Sequence, residues 1–128
     1  IGAIENWSTT AMYWNLMLDE NYNPHHGGCS DCRGFARIAK NFTWVDYNEE
    51  YYMSAHFGKF LRSGQMQRFG SYLEQASKCM FATAMGDGLN MQVVMLNNCG
   101  QEAEFVIQRG SSYVKASVPV GLSTFYYN

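Results

Sequence analysis

Hydrophobic positions fall along this chain in two different patterns. Near the start, Ala11-Met12-Tyr13-Trp14-Asn15-Leu16-Met17-Leu18 is an apolar run that ends abruptly in Asp19 and Glu20, with Asn15 its one strongly polar interruption. A strand with one wet face would alternate, so a short unbroken run suits a strand buried on both faces, although periodicity alone leaves a buried helix segment open. Such a strand needs neighbours on both edges. No nearby stretch supplies parallel partners, so the expectation is that it belongs to a sheet larger than this chain provides.

From Met66 onward the pattern is shorter and regular: Met66–Leu73, Cys79–Met85, Met91–Leu96, Ala103–Arg109, Tyr113–Val118 and Leu122–Tyr127. Turn signals separate these runs, most clearly Gly86-Asp87-Gly88, Asn97-Asn98-Cys99-Gly100 and Arg109-Gly110-Ser111. Phe105 and Ile107 alternate with Glu104 and Gln108, marking one buried face. Regular short strands with such turns predict an all-β sandwich of roughly six to eight strands.

Between the two patterns lie three pieces. Glu5 to Thr10 is polar and reads as a helix end or a connector. Residues 21–34 carry three Gly, a Pro and several Asn and Asp, a long loop of the kind that is usually functional in a compact domain. Phe35–Ala39 and Thr43–Tyr47 read as a hairpin, with Ile38 and Val45 as candidate core residues. Asn48 is then a good helix N-cap, and Glu49 and Glu50 fall where a helix dipole favours carboxylates. That helix is expected to run to about Leu61, with Gly64 just past its end and Tyr52, Ala55, His56 and Phe60 on one face.

Composition narrows the class. With 128 residues, 47% apolar and 16% aromatic, the chain can build a real core, which excludes disorder. A net charge of -2 with nine dispersed Lys and Arg argues against a nucleic-acid or membrane-surface footprint. No apolar stretch reaches the ~20 residues that span a bilayer. Residues 1–6 do not read as a signal peptide, and the chain begins as if cut or processed from something longer.

Four cysteines, Cys29, Cys32, Cys79 and Cys99, permit two disulfides in three connectivities. Cys79 opens one strand of the hairpin that turns at Gly86-Asp87-Gly88 and Cys99 ends the other, so these two are expected to meet at its open end. His25, His26, Cys29 and Cys32 have a spacing that could bind zinc, against the competing reading of a small Cys29–Cys32 disulfide. Two sequons, Asn6-Trp7-Ser8 and Asn41-Phe42-Thr43, mark Asn6 and Asn41 as candidate glycosylation sites. With the even cysteine count they favour the secretory pathway.

The order of these parts resembles the C-terminal portion of glycoside hydrolase family 30, which includes lysosomal glucosylceramidase and fungal β-1,6-glucanases. The residues that carry the resemblance are Asn6-Trp7-Ser8, Trp14-Asn15-Leu16 with Leu18-Asp19, Pro24-His25, and Gly27-Gly28-Cys29-Ser30-Asp31-Cys32-Arg33-Gly34. Tyr51-Tyr52, Ala55-His56-Phe57-Gly58-Lys59-Phe60 and the β-rich tail with Pro119-Val120-Gly121 complete it. Met17, Gly58 and the Tyr22-Asn23 pair depart from the commoner family pattern.

The resemblance implies a fold class: an α/β barrel remnant, the eighth strand and helix of a (β/α)8 barrel, plus the sandwich. Residues 1–65 would be the incomplete end of the catalytic barrel and residues 66–128 the β-sandwich domain. It implies a retaining β-glycosidase acting on glucosylceramide or a β-glucan, secreted or lysosomal, with no cofactor and no resident metal. Its partners would be the β-linked substrate and the rest of the barrel, not nucleic acid, and it would meet a membrane only through a lipid-linked substrate. Retention needs two carboxyl groups about 5–5.5 Å apart. The family carries them at the ends of the fourth and seventh barrel strands, and no residue of this chain matches either position, so no catalytic residue is assigned. The resemblance and the sequons favour the Cys29–Cys32 disulfide over zinc.

Trp14 is the first candidate for substrate binding. It lies toward the C-terminal end of the expected strand, where barrel active sites open, and its ring offers an apolar face to a sugar. Asn15 beside it, and His25 and His26 on the loop, are the other substrate-binding candidates. Asp19 and Glu20 are adjacent on a strand and so point to opposite faces, which suits loop-fixing carboxylates better than a catalytic pair. His56 reads as a packing residue and the eight Met as core filler. The competing function is a non-catalytic carbohydrate-binding or structural module derived from the same family. A zinc-binding adaptor is a third reading.

Overall fold

A computed structural model describes residues 1–59, 67–68 and 78–127. In chain order its elements are α1 (Gly2–Glu5), β1 (Met17–Asp19), β2 (Ala36–Ile38), β3 (Val45–Tyr47), α2 (Glu49–Gly58), β4 (Gln67–Arg68), β5 (Met80–Gly86), β6 (Met91–Asn97), β7 (Ala103–Arg109), β8 (Ser112–Val118) and β9 (Gly121–Tyr127). They divide into two compact units, one of residues Ile1–Ser8 with Gly58–Asn128 and one of residues Thr9–Phe57.

The first unit is rich in β-structure. A four-stranded sheet runs β4-β5-β6-β9 and a two-stranded sheet pairs β7 with β8. β5 and β6 pair antiparallel from Met80↔Asn97 to Gly86↔Met91, and β6 pairs β9 from Met91↔Tyr127 to Asn97↔Gly121. β6 has a partner on each edge, and Met91, Gln92, Val93, Val94 and Met95 are all buried in succession, so both of its faces are covered. Ala84, Met91, Val93, Met95 and Val118 form the core cluster. Ala82, Phe105, Ile107, Phe125 and Tyr127 pack against it, so strands of both sheets share one core. Glu104 and Gln108 face outward, as the alternation requires.

The turns follow their residues. Asp87 Oδ1 accepts from the backbone N–H groups of Leu89 (3.0 Å) and Asn90 (2.7 Å), closing the β5–β6 turn. Buried Asn97 donates to the carbonyls of Gln101 (2.8 Å) and Val118 (2.9 Å) and accepts from the Cys99 N–H (2.9 Å), which fixes the exit from β6. Gly110 sits at φ +60° in the two-residue β7–β8 turn, the left-handed conformation such a turn demands of its first position. Cys79 and Cys99 are bonded at the open end of the β5–β6 hairpin, with Cα atoms 5.0 Å apart. The N-terminal residues join the same unit: Thr83 Oγ1 donates to Glu5 Oε1 (2.6 Å), Arg68 pairs with Glu5 Oε2 (3.4 Å), and the Arg68 guanidinium lies 4.2 Å from the Trp7 ring centre.

The second unit is a small sheet of order β1-β2-β3 with α2 following it. β2 and β3 form the expected hairpin, with Arg37 opposite Asp46 and their side chains ion-paired at 2.6 Å. β1 pairs with β2 in parallel, Leu18 opposite Arg37.

Here the structure departs from the sequence reading. The apolar run is a strand only over Met17–Asp19, and its partner is this chain's own β2. Residues 9–16 carry no regular structure, and Met12, Trp14 and Leu16 are exposed. A strand requires a ladder, and β2 supplies one of only three residues. Asn15 then bends the chain locally, its Oδ1 accepting from the Met17 N–H (2.9 Å). Val45, a candidate core residue, is 48% exposed because nothing among the described residues covers either face of β3, whose three residues are all exposed, and Ile38 is half-buried; the buried apolar positions are Leu18, Ala36 and Ala39. The helix starts where expected but is assigned only over Glu49–Gly58, with none of its residues buried. Its expected continuation to Leu61, Phe60, Gly64 and the start of the run from Met66 fall outside the described residues; within that run, Gln67–Arg68 form β4.

Candidate functional site

The site grows from a close backbone approach. A Cβ added at Gly34 would lie 3.0 Å from the Asn15 carbonyl oxygen and 3.1 Å from the Met17 nitrogen. Only glycine lets the segment before β2 press against the segment entering β1. Phe35 and Ala36 then donate to the carbonyls of Asn15 (3.2 Å) and Leu16 (3.0 Å), and Asn48 Nδ2 donates to the Gly34 carbonyl (2.8 Å). Residues 13–15 are thereby held beside residues 32–35.

Between them lies an open cavity of about 370 Å³ lined by Tyr13, Trp14, Asn15, Cys32, Arg33, Gly34, Phe35, Glu50 and Met53. Tyr13 and Phe35 pack at 5.1 Å between ring centres, tilted by 53°. Trp14 is 68% exposed, so its ring is free to meet a ligand. Arg33 Nε donates to Glu50 Oε1 (2.9 Å) and its Nη2 to Glu49 Oε2, tying the loop to the first turn of α2. The two carboxylates hold Arg33 firmly cationic, Glu50 foremost. The Glu50 carboxyl is held below the ordinary carboxylate range by its own backbone N–H at the helix start and then by Arg33.

That electrostatic state decides what the cavity can do. Glu50 is the carboxylate among its lining residues, and a glycosidase acid needs a raised pKa, not a lowered one. The arrangement offers aromatic faces, an amide and a guanidinium, which are groups that bind a polyol.

The loop between β1 and β2 is built on Asp19. Its Oδ1 accepts from the N–H groups of Asn21 and Asn23, both at 2.8 Å. These bonds, Asn23 first, and the Lys40 charge at 3.8 Å keep the Asp19 carboxyl below its usual range. Glu20 accepts from the Lys40 N–H at 2.8 Å. Both carboxylates therefore fix loops. The Asn23–Pro24 peptide is cis. Cys29 and Cys32 are bonded to each other, with Cα atoms 5.4 Å apart. Cys29, Asp31 and Cys32 lie together, but sulfurs joined to one another offer a metal no thiolate.

Of the sequence candidates, the structure brings Trp14 and Asn15 to the cavity. His25 is half-buried and His26 exposed on the loop, and neither lines it. His56 is half-buried on α2. Asn6 and Asn41 are both exposed. Sequence reasoning missed Tyr13, Arg33, Phe35, Glu50 and Met53. The available signal was charge: a lone Arg between two glycine-bearing turns, facing two Glu at a helix start.

No family model matches the chain. It is 26% identical over 121 residues to an endo-1,6-beta-D-glucanase of Neurospora crassa, covering 89% of this chain and 25% of that protein. It is 34% identical over 73 residues to endo-1,6-beta-D-glucanase neg1 of Aspergillus fumigatus, covering 56% of this chain and 14% of the relative. Among solved structures, the endo-beta1,6-glucanase BT3312 superposes with a TM-score of 0.85 at 26% identity, over 98% of this chain and 28% of that one. The chain thus spans a quarter or less of the length of these curated relatives. By sequence and by structure it resembles the C-terminal portion of a glycoside hydrolase family 30 enzyme, in agreement with its motifs.

Proposed function

We propose that this chain is the C-terminal part of a secreted retaining β-glycosidase that cleaves β-1,6-linked glucan, and that its cavity forms part of the sugar-binding wall. The observation that carries the reading is the convergence of exposed Trp14 with Asn15 and Arg33 on one open cavity, in a chain that aligns along nearly its whole length with an endo-β-1,6-glucanase. In this reading the run Ala11–Leu18, strand in this chain only from Met17, becomes the eighth barrel strand beside the rest of the barrel and α2 is its eighth helix, with residues 66–128 as the accompanying sandwich. The exposure of Met12, Trp14 and Leu16 supports it, since these apolar side chains await cover from barrel or substrate. The two disulfides are compatible with secretion. The acid/base and nucleophile lie in the remainder of the barrel, and this segment contributes recognition.

The test is made in the full-length protein that contains this chain. Trp14→Ala should lower kcat/KM on β-1,6-glucan by about 10²-fold, roughly 2.7 kcal/mol of transition-state stabilisation. The unfolding midpoint is measured alongside. An unchanged midpoint, as the exposure of Trp14 in this chain leads one to expect if substrate and not the barrel covers it, assigns the lost activity to the site. Trp14→Phe separates the two effects where the midpoint falls. Unaltered kcat/KM would reject the sugar-wall assignment. Glucan binding without any hydrolysis by the full-length protein would favour the competing reading of a non-catalytic module.

A further inference from the structure

The two sequons stand in different structural situations, and we propose that Asn41, and not Asn6, is the residue that carries an N-linked glycan. Asn41 lies in the tight connection between β2 and β3 and is exposed together with its neighbours Phe42, Thr43 and Trp44. Its side-chain carbonyl accepts from both the Thr43 hydroxyl (2.7 Å) and the Thr43 N–H (3.2 Å). Those two bonds draw the third residue of the sequon back onto the first and orient the amide. They occupy Oδ1 and not the glycan-accepting nitrogen, Nδ2, on a residue that is itself exposed. A glycan attached there displaces no packing.

Asn6 differs at the same atom. Its Nδ2 donates to the Gly2 carbonyl (2.8 Å) at the end of α1, so a glycan there would share its nitrogen with a bond of the folded chain and the amide would have to keep that bond with its one remaining hydrogen. The next residue, Trp7, is held at φ +65° with its ring under the Arg68 guanidinium at 4.2 Å. A sugar on Asn6 would crowd that stack and the Glu5–Thr83 bond beside it. The reaction itself is a transfer from a lipid-linked oligosaccharyl diphosphate. The Asn41 Nδ2 attacks the anomeric carbon, the carbon–oxygen bond to the diphosphate breaks, the lipid diphosphate leaves with the electron pair, and Nδ2 gives up one proton to a base of the transferase.

Phe42 and Trp44 give the glycan a place to rest. Both are large exposed rings within three residues of Asn41, and the C–H face of the first sugar can lie against them. The inference is independent of the cavity and of any activity: it needs only passage of the chain through a secretory compartment.

The experiment expresses the full-length protein in a eukaryotic secretory host, with glycopeptide mapping before and after enzymatic deglycosylation, which converts a glycosylated Asn to Asp. The expected result is a glycan on Asn41, none on Asn6, and Asp recovered at position 41 alone. Thr43→Ala should abolish the modification while Thr43→Ser retains it, and neither change alters a buried residue. Asn6→Gln should leave the glycoform pattern unchanged. A secreted protein bare at Asn41, or one carrying a glycan on Asn6, would overturn the proposal.

Discussion

The two units of this chain draw on similar residues and use them in opposite ways. In the unit of residues Ile1–Ser8 and Gly58–Asn128, seven-residue strands pair along their full length and bury Met95, Val94 and Val118 completely. In the unit of residues Thr9–Phe57, strands of three residues bury Leu18 and Ala36, with Ala39 just past β2, while Tyr13, Trp14, Leu16, Trp44, Tyr47, Tyr51 and Tyr52 remain exposed. Both units leave aromatic rings at the surface, Trp7 and Tyr113 among those of the first, but the first also buries a cluster of long apolar side chains whereas the second buries only Leu18 and two alanines. The aromatics of the second unit make contacts with each other instead, as in Tyr47 stacked on Tyr51 at 4.3 Å. A surface on which so many rings lie exposed is of the kind that meets other protein or a ligand, as the proposed function has it. A unit with Met91, Met95 and Val118 in a common core has more internal apolar contact to hold it together.

The sharpest way to break this contrast is to damage the β-rich core. Met95→Ala removes a fully buried side chain from the centre of β6 and should cost about 2–5 kcal/mol, read by denaturant unfolding. Loss of the Cys79–Cys99 disulfide closes the same comparison from outside the core. A Cys79→Ser, Cys99→Ser double variant should lose about 2–4 kcal/mol, since the bond spans 20 residues of sequence. If either change left the unfolding midpoint untouched, the β-rich unit would not be the stable partner.

In the second unit the weak point is a glycine rather than a large side chain. Gly34→Ala places a methyl group 3.0–3.2 Å from backbone atoms of residues 15–17, which cannot swing aside. The expected cost is about 1–3 kcal/mol, with faster amide exchange through β1 and β2. Arg33→Ala should cost less, about 0–1 kcal/mol, because the pair with Glu49 and Glu50 is substantially solvent-exposed.

The smallest effect is one of pH. Asp19, Glu50 and Asp87 all have carboxyl groups held below their ordinary values by hydrogen bonds to backbone N–H groups, Asp19 and Glu50 with help from cations. A depressed folded-state pKa contributes stability that is present above the unfolded value and is lost as pH falls through the folded one. The loop after β1, the start of α2 and the β5–β6 turn should therefore loosen on acidification below the ordinary carboxylate range. Asp19→Asn should flatten that acid dependence for the first of them, followed by amide exchange of Asn21 and Asn23.

Much of the β-rich unit could be read from the chain, and for a local reason. Strands β5 to β9 begin and end within about a residue of the apolar runs, because each is bounded by a turn whose residues dictate its geometry, such as Asp87 and Gly110. The Cys79–Cys99 pairing was expected from the position of the turn, which puts both cysteines at the open end of the hairpin, and the structure supplies the register that the sequence left open. The second unit resisted because its apolar residues do not report burial. Ala11–Leu18 has the composition of a covered strand, yet only Leu18 is buried. Burial depends on what lies across from a residue, and a one-dimensional pattern does not contain that.

What the sequence determined by itself is therefore the set of local commitments: turn positions, strand lengths in residues 79–127, the β2–β3 hairpin, the start of α2 at Asn48, and a family likeness carried by Trp14-Asn15-Leu16 and the Cys29–Gly34 loop. What only the tertiary structure decided is which distant groups meet. Arg33 reaches Glu49 and Glu50 sixteen and seventeen residues away, Gly34 touches the backbone of Asn15, and Glu5 receives the hydroxyl of Thr83 across 78 positions. Those contacts are set by close packing in three dimensions, where a single missing Cβ or one guanidinium fork fixes the geometry. Neither leaves a periodic trace in the order of the residues.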